Sequence, residues 1–245
     1  LVSPEKMEKG ILDNGITKDT TVILYGDDIS ATSRVAFAYL WAGVDNVKVL
    51  NGGIKAWEKA GYKTETEVVE AKKAEDFGTK IPAHPEYQLS IEDAKDKLEN
   101  DDNFKLVSIR SKDEFLGKTS GYSYINKAAE PKGAVWGHAG TDPYNMNDYL
   151  NEDGTCINMD QMKELWSDCD FTTDNELSFY CGTGWRACVP WLICYENGMT
   201  NMTVFDGGWN EWQMDDSNPV QVGDPASDDC VYTTVGELLN DKAAK

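Results

Sequence analysis

A shift of 155 residues (180 − 25) lays one part of this chain on another without a gap. Tyr25 meets Tyr180, Gly43 meets Gly198, Asn46 meets Asn201 and Val49 meets Val204. Gly52-Gly53 meets Gly207-Gly208, and Trp57 meets Trp212. Where identity lapses the apolar type is kept, as with Phe37 against Leu192 and Leu50 against Phe205. Self-similarity at one fixed offset marks a duplicated unit. In each copy a strand, a tight turn, a helix ending at glycine, a second strand and a Gly-Gly turn follow in order, which restricts the chain to repeated α/β architecture.

The rest of the sequence fits that frame. Ser3 and Pro4 open a helix that runs to Gly15, Val22–Tyr25 and Val47–Leu50 read as strands, and Trp57 lies on a short helix closed by Gly61. Thr64 to Pro85 is charged and reads as a linker. Ser90 caps a helix over 91–98, Lys105–Arg110 is a strand, a further strand ends near Trp136 and His138, and Met159–Trp166 matches the helix at the start. The fold class is α/β: two tandem units, each a central parallel sheet with helices on both faces. We divide the chain into 1–66, the C-terminal half of a first unit; 67–86, the linker; 87–218, a complete second unit; and 219–245, a C-terminal tail.

The two units are unequal. Tyr87 to Cys181 is 94 residues (181 − 87), whereas Leu1 to Gly26 is 25 (26 − 1). The first unit therefore lacks about 70 residues, a large share of an ordinary domain. Its two strands are apolar enough to be buried on both faces, and a bare parallel edge is an aggregation hazard. A cleaved N-terminal fragment of the same protein is expected to cover it, with pairing between two copies of the chain as the alternative.

Chemistry concentrates where the copies differ. Phe179-Tyr180-Cys181-Gly182-Thr183-Gly184-Trp185-Arg186-Ala187 joins a buried strand to a helix ending at Gly198. Two glycines let the backbone turn and present its N–H groups inward. A thiol in a ring of amides at a helix N-terminus is favoured as thiolate. Cys181 is thus the candidate nucleophile and Gly182 to Ala187 the loop that binds what it carries. Arg186 either meets the substrate or braces the loop. The first copy has Gly26 and Ala31 at the positions of Cys181 and Arg186, so it is structural or walls the site. Cys188 and Cys194 read as packed thiols on the following helix.

Cys181 to Arg186 resembles the six-residue active-site loop of the rhodanese sulfurtransferases, and a non-catalytic unit before a catalytic one is similar to the two-domain members of that family. The resemblance implies a small-molecule sulfur donor such as thiosulfate, a Cys181 persulfide, and cyanide or a thiol as acceptor. Cys-Gly-Thr-Gly is similar to the loop of 3-mercaptopyruvate enzymes, which is the alternative donor. Thiolate phosphatases place five residues between Cys and Arg; here four intervene, a ring better sized for one sulfur. A non-catalytic binding module is the remaining reading, against which the intact Cys181 speaks. In two-domain members an Arg four residues after a strand Arg helps hold the donor; here Arg110 is followed by Glu114, of reversed charge. Arg110, Trp136 and His138 are candidate pocket residues, because ligands in such sheets bind at strand C-termini; for Arg110 a structural pairing with Glu114 at helical spacing is the equal alternative.

Charge bounds the partners. Lys and Arg number 23 and Asp and Glu 43, for a net charge of −20. That balance speaks against nucleic acid and anionic membranes, and no stretch reaches membrane-spanning length. Six cysteines form no CxxC pair and only two histidines are present, so no metal and no cofactor are expected. A reducing interior such as the cytoplasm is the default compartment; a start at Leu1 also leaves the bacterial cell envelope open.

Overall fold

The computed structural model describes residues 1–244. The first unit begins with α1 (Pro4–Asp13), whose free amides are capped by the Ser3 hydroxyl. Strand β1 (Thr21–Leu24) leads to α2 (Ile29–Ala42), which starts at an Asp28 cap and stops at Gly43 in the left-handed region. Strand β2 (Asn46–Val49) pairs parallel with β1, and α3 (Gly53–Lys59) closes the unit. These two strands form a sheet by themselves. Contrary to expectation they are not buried on both faces. Val22 is covered, whereas Ile23 is 63% exposed and Tyr25 61% exposed. Among the described residues, the edge of β1 that corresponds to the paired edge of its repeat partner has no strand beside it.

The second unit supplies β3 (Gln88–Leu89), α4 (Ile91–Asn100), β4 (Phe104–Ser108) and α5 (Lys112–Phe115). It continues with β5 (Glu130–Pro131), β6 (Val135–Trp136), α6 (Met159–Leu165) and β7 (Glu176–Tyr180). It ends with α7 (Cys188–Glu196), β8 (Met202–Phe205) and α8 (Gly208–Trp212). Its main sheet has the order β3-β8-β7-β4-β6, all parallel. Ser108 is in register with both Tyr180 and Trp136, so β4, β6 and β7 end together, and the loop beginning at Cys181 emerges from the middle of that edge. Helix α7 opens at Cys188, after a turn formed by Trp185 to Ala187.

The chain past 219 is no mere tail. It forms β9 (Pro219–Val222) and β10 (Val231–Thr234), an antiparallel sheet completed by β5. Val220 and Val235 are fully buried. The last residues return to the segment after α5, where Lys242 exchanges backbone bonds with Ser120 and Asn126 and Ala244 donates to Tyr122 O. The linker is likewise only half a linker. Residues 63–84 carry no regular element, yet Phe77 and Ile81 are buried in the first unit's core with Ile11, Val22 and Trp41.

The two units share one core. Phe37 of α2 meets Trp191 of α7 edge-on at 4.7 Å between ring centres, and Tyr87 packs on Trp191 at 5.0 Å. Phe37 and Trp191 are fully buried, and burying each such side chain stabilises the fold by about 1.5–3 kcal/mol. Helix α2 thereby lies along the helix that follows the Cys181 loop. No helix among the described residues is long and apolar enough to cross a membrane.

Candidate active site

Cys181 directly follows β7 and is 1% exposed. The carbonyl oxygens of Cys181 and Gly182 accept bonds from Trp209 N and Asn210 N, each at 2.9 Å, in the first turn of α8. That turn comes close because Gly208 has no side chain: a Cβ there would sit 2.3 Å from Cys181 O. With its carbonyls held, the loop keeps its donors free. Among the described residues, none of the amides from Gly182 to Ala187 donates a hydrogen bond within the protein. Consecutive unpaired N–H groups at a helix start form an anion-binding nest.

Both loop glycines have a steric cause. At Gly182 a Cβ would lie 2.1 Å from the Tyr122 ring, so glycine lets that ring close over the residue next to Cys181. Gly184 has φ +80°, and a Cβ there would meet Asp206 O at 2.7 Å. Tyr122 was not among the residues singled out from sequence. It is 8% exposed, its hydroxyl accepts from Arg186 Nη2 at 3.0 Å, and burial together with the Cys181 charge pushes its phenol above its usual range. It therefore stays protonated, with its own O–H available to donate. Tyr124 packs at 5.5 Å from the Tyr122 ring, and Tyr124 and Trp185 are 65% and 49% exposed, giving the buried thiol an aromatic surround.

Arg186 braces the loop. Its Nη1 and Nη2 donate to the two oxygens of Glu114 at 2.8 and 2.9 Å, a paired geometry with both side chains buried. Its Nε has no partner among the described residues. The reversed charge at Glu114 is thus the counter-ion of Arg186. Burial alone would raise the Glu114 carboxyl, but Arg186 and Arg110 hold it down at about 2. Ser111 and Glu114 also form a reciprocal capping box that fixes α5 and aims the carboxylate.

Of its two readings Arg110 takes the structural one, pairing with Glu114 and lining no pocket. It is fully buried, and its nitrogens bond Glu114 (3.3 Å), Ala129 O (3.0 Å), Glu130 (2.7 Å) and Ser120 O (3.0 Å). A guanidinium with its donors engaged this way is part of the scaffold. Burial pushes the Glu130 carboxyl up to about 7, with Arg110 pulling the other way.

Trp136 donates Nε1–H to Arg110 O at 2.8 Å and carries Lys112 over its ring at 4.4 Å. His138 stacks on Trp136 at 3.9 Å and takes φ +64°. Its ring nitrogens face Asp148 and Asp168, each at 3.9 Å, and burial lowers its pKa. No hydrogen bond or ion pair among the described residues links Trp136 or His138 to the Cys181 loop. His138, Asp168 and Cys169 do bring one potential metal-ligand atom each within 4.8 Å, a grouping invisible in the spacing of the sequence. The Asp168 side chain is 86% exposed, so it is free to turn away into water.

A cysteine after the central strand, a nest of free amides and two helices aimed at one loop define a cysteine-loop α/β protein, and comparison with known proteins fixes the family. The rhodanese-like domain model matches residues 3–60 and 90–215, and the chain belongs to that family. Thiosulfate sulfurtransferase YnjE of Escherichia coli (strain K12) is 46% identical over 228 residues, 93% of this chain and 52% of its own length. The crystal structure of YnjE superposes with a TM-score of 0.86 over 91% of this chain and 54% of that one. This chain thus spans about half of YnjE. EanB, solved also with hercynine or ergothioneine, is similar with a TM-score of 0.87 at 35% identity over 91% of this chain and 55% of that one. An anaerobic ergothioneine biosynthesis enzyme from Chlorobium limicola, bound to its natural substrate trimethyl histidine, matches equally at 0.87 and 35%, over 91% and 56% of the two chains. EanB has been solved with a cysteine persulfide, and with changes at a tyrosine 59 residues before that cysteine (412 − 353) and a threonine two after it (414 − 412). Tyr122 lies 59 before Cys181 (181 − 122) and Thr183 two after.

Proposed function

We propose that this chain transfers a sulfane sulfur through a Cys181 persulfide. The unpartnered amides around Cys181 carry the reading, since a persulfide is a small anion that such a nest stabilises. The Cys181 thiolate attacks the outer sulfur of thiosulfate, and the donor's S–S bond breaks with its electron pair leaving on sulfite. The outer sulfur, now a persulfide anion, is then attacked by cyanide or a thiolate, and the Cys181 thiolate departs with the electron pair of the second S–S bond. No cofactor enters this balance. Arg186, committed to Glu114, holds the loop rather than clamping the donor.

A second reading concerns the acceptor. Tyr122 and Thr183 stand at the spacings varied in EanB, the thiol has an aromatic surround, and a net charge of −20 favours cations over anions. A methylated histidine betaine of the hercynine type suits those features. Steady-state rates with thiosulfate and with 3-mercaptopyruvate, each against cyanide, a thiol and hercynine, test both readings. Thiosulfate with cyanide is expected to turn over, and aryl phosphate cleavage to be negligible beside it. Phosphate release faster than sulfur transfer would overturn the first reading. Hercynine recovered unchanged beside active cyanide turnover would overturn the second alone.

The free edge of β1, with Ile23 and Tyr25 open to solvent, supports a partner as well. We infer that a cleaved N-terminal fragment of the same protein adds strands there, as β4 does beside β7 in the second unit. Light scattering and denaturing mass spectrometry of the purified protein are expected to find a second peptide. A single 245-residue species, monomeric and folded, would refute this cover.

A further inference from the structure

The first unit has no nucleophile, yet it reaches the Cys181 loop. Arg34 lies on α2, and its guanidinium forms an ion pair with Asp206, the residue after β8. The two side chains are 14% and 10% exposed. Asp206 and Arg34 converge on Gly184: a Cβ there would lie 2.8 Å from Asp206 Oδ1 and 3.2 Å from Arg34 Nη1. Gly184 O in turn accepts from Cys188 Sγ at 3.1 Å. The fourth residue of the loop is therefore packed between the first turn of α7 and a cation from the other unit.

The repeat sharpens this. Shifted by 155, Arg34 stands where the second copy has Val189, and Asp206 where the first has Asn51. The ion pair is thus not inherited from the duplicated pattern on either side. Burial disfavours the Asp206 carboxylate, but the cationic groups paired with it, Arg34 foremost, together outweigh burial and keep it ionised. The lever is short: Gly184 is three residues from Cys181, and all its neighbours in the loop carry free amides.

Resting on the persulfide reading, we infer that Arg34 is a positioning residue for the Cys181 loop. It holds Asp206, Asp206 packs against Gly184, and the amide nest keeps the shape that binds the persulfide. This gives the half-unit a task in turnover.

The test uses Arg34→Ala, Arg34→Lys and Asp206→Asn in the full chain, each checked by thermal melting. Readouts are kcat and KM for thiosulfate, and the pH dependence of Cys181 alkylation by iodoacetamide. Arg34→Ala is expected to lower kcat by about 10- to 100-fold with little change in KM, because small displacements at a reacting centre cost rates of that order. It should also move the alkylation profile to higher pH, and Arg34→Lys should restore part of both. Asp206→Asn should behave like Arg34→Ala and supplies the test should Arg34→Ala fail to fold. A kcat within about twofold of the parent, with an unchanged alkylation profile, would overturn the inference. Alkylation does not require sulfur transfer, so its profile tests Arg34 even if thiosulfate proves not to be a substrate.

Discussion

Cys181→Ser is expected to turn over no sulfur donor, with a rate at least about a thousandfold below the parent, since removing a nucleophile typically costs that much or more. A hydroxyl in the same nest can accept hydrogen bonds but cannot form a persulfide. Five other free thiols are present, so the loss has to be shown to belong to this one. Burial pushes Cys156, Cys169, Cys188 and Cys194 each up to about 12, which keeps them as unreactive thiols at neutral pH. Cys188→Ser and Cys194→Ser should therefore change stability more than rate. Mass spectrometry of the parent after thiosulfate should find one added sulfur on the Cys181 peptide and on no other. Sulfur transfer retained by Cys181→Ser, or a persulfide found on Cys188 instead, would remove the basis of the proposed mechanism.

What could be read from sequence followed chain locality. The Cys181 loop is contiguous, so strand, glycines and helix start all speak within nine residues. The repeat fixed the order of β1, α2 and β2 because each has a counterpart in β7, α7 and β8. The residues that shape the site from a distance were silent. Glu114 comes to Arg186 across 72 residues, and its only cue was a charge opposite to the expected one. Tyr122 left its mark on another residue, the glycine at 182 whose missing Cβ makes room for the ring. Arg34 had a usable cue, since a cation stands where the second copy has Val189. The strands past 219 were missed because β9 pairs antiparallel with a two-residue strand about 90 positions away and β10 pairs with β9 alone, which leaves no periodicity to detect. Ile23 and Tyr25 read as buried because they are apolar, and apolarity records what a strand is built to meet, not whether it is met in this chain.

The buried charge network under the loop gives the largest expected effect on stability. Glu114 is the shared counter-ion of two fully buried guanidiniums, Arg186 and Arg110. Glu114→Ala removes it and leaves Arg186 without a counter-ion in a site closed to water, while Arg110 keeps Glu130. Breaking a buried pair from one side costs about 3–5 kcal/mol, much of it the penalty for the stranded charge. Glu114→Gln keeps the shape and some hydrogen bonds and should cost less, yet it too leaves Arg186 uncompensated. The pH dependence separates this from simple packing. The Glu114 carboxyl sits at about 2 in the fold, below its usual range near 4.5. Its contribution is therefore fully present above about pH 4.5 and lost as pH falls toward 2. Glu130, pushed up to about 7, works in the opposite sense: its contribution is present at low pH and lost as pH rises through 7. Urea unfolding of the parent between pH 3 and pH 5 should show stability rising with pH, and Glu114→Gln should flatten that rise. A variant that keeps the parent's slope would mean that the carboxylate carries no such linkage, and that Arg186 is held by something other than the charge of Glu114.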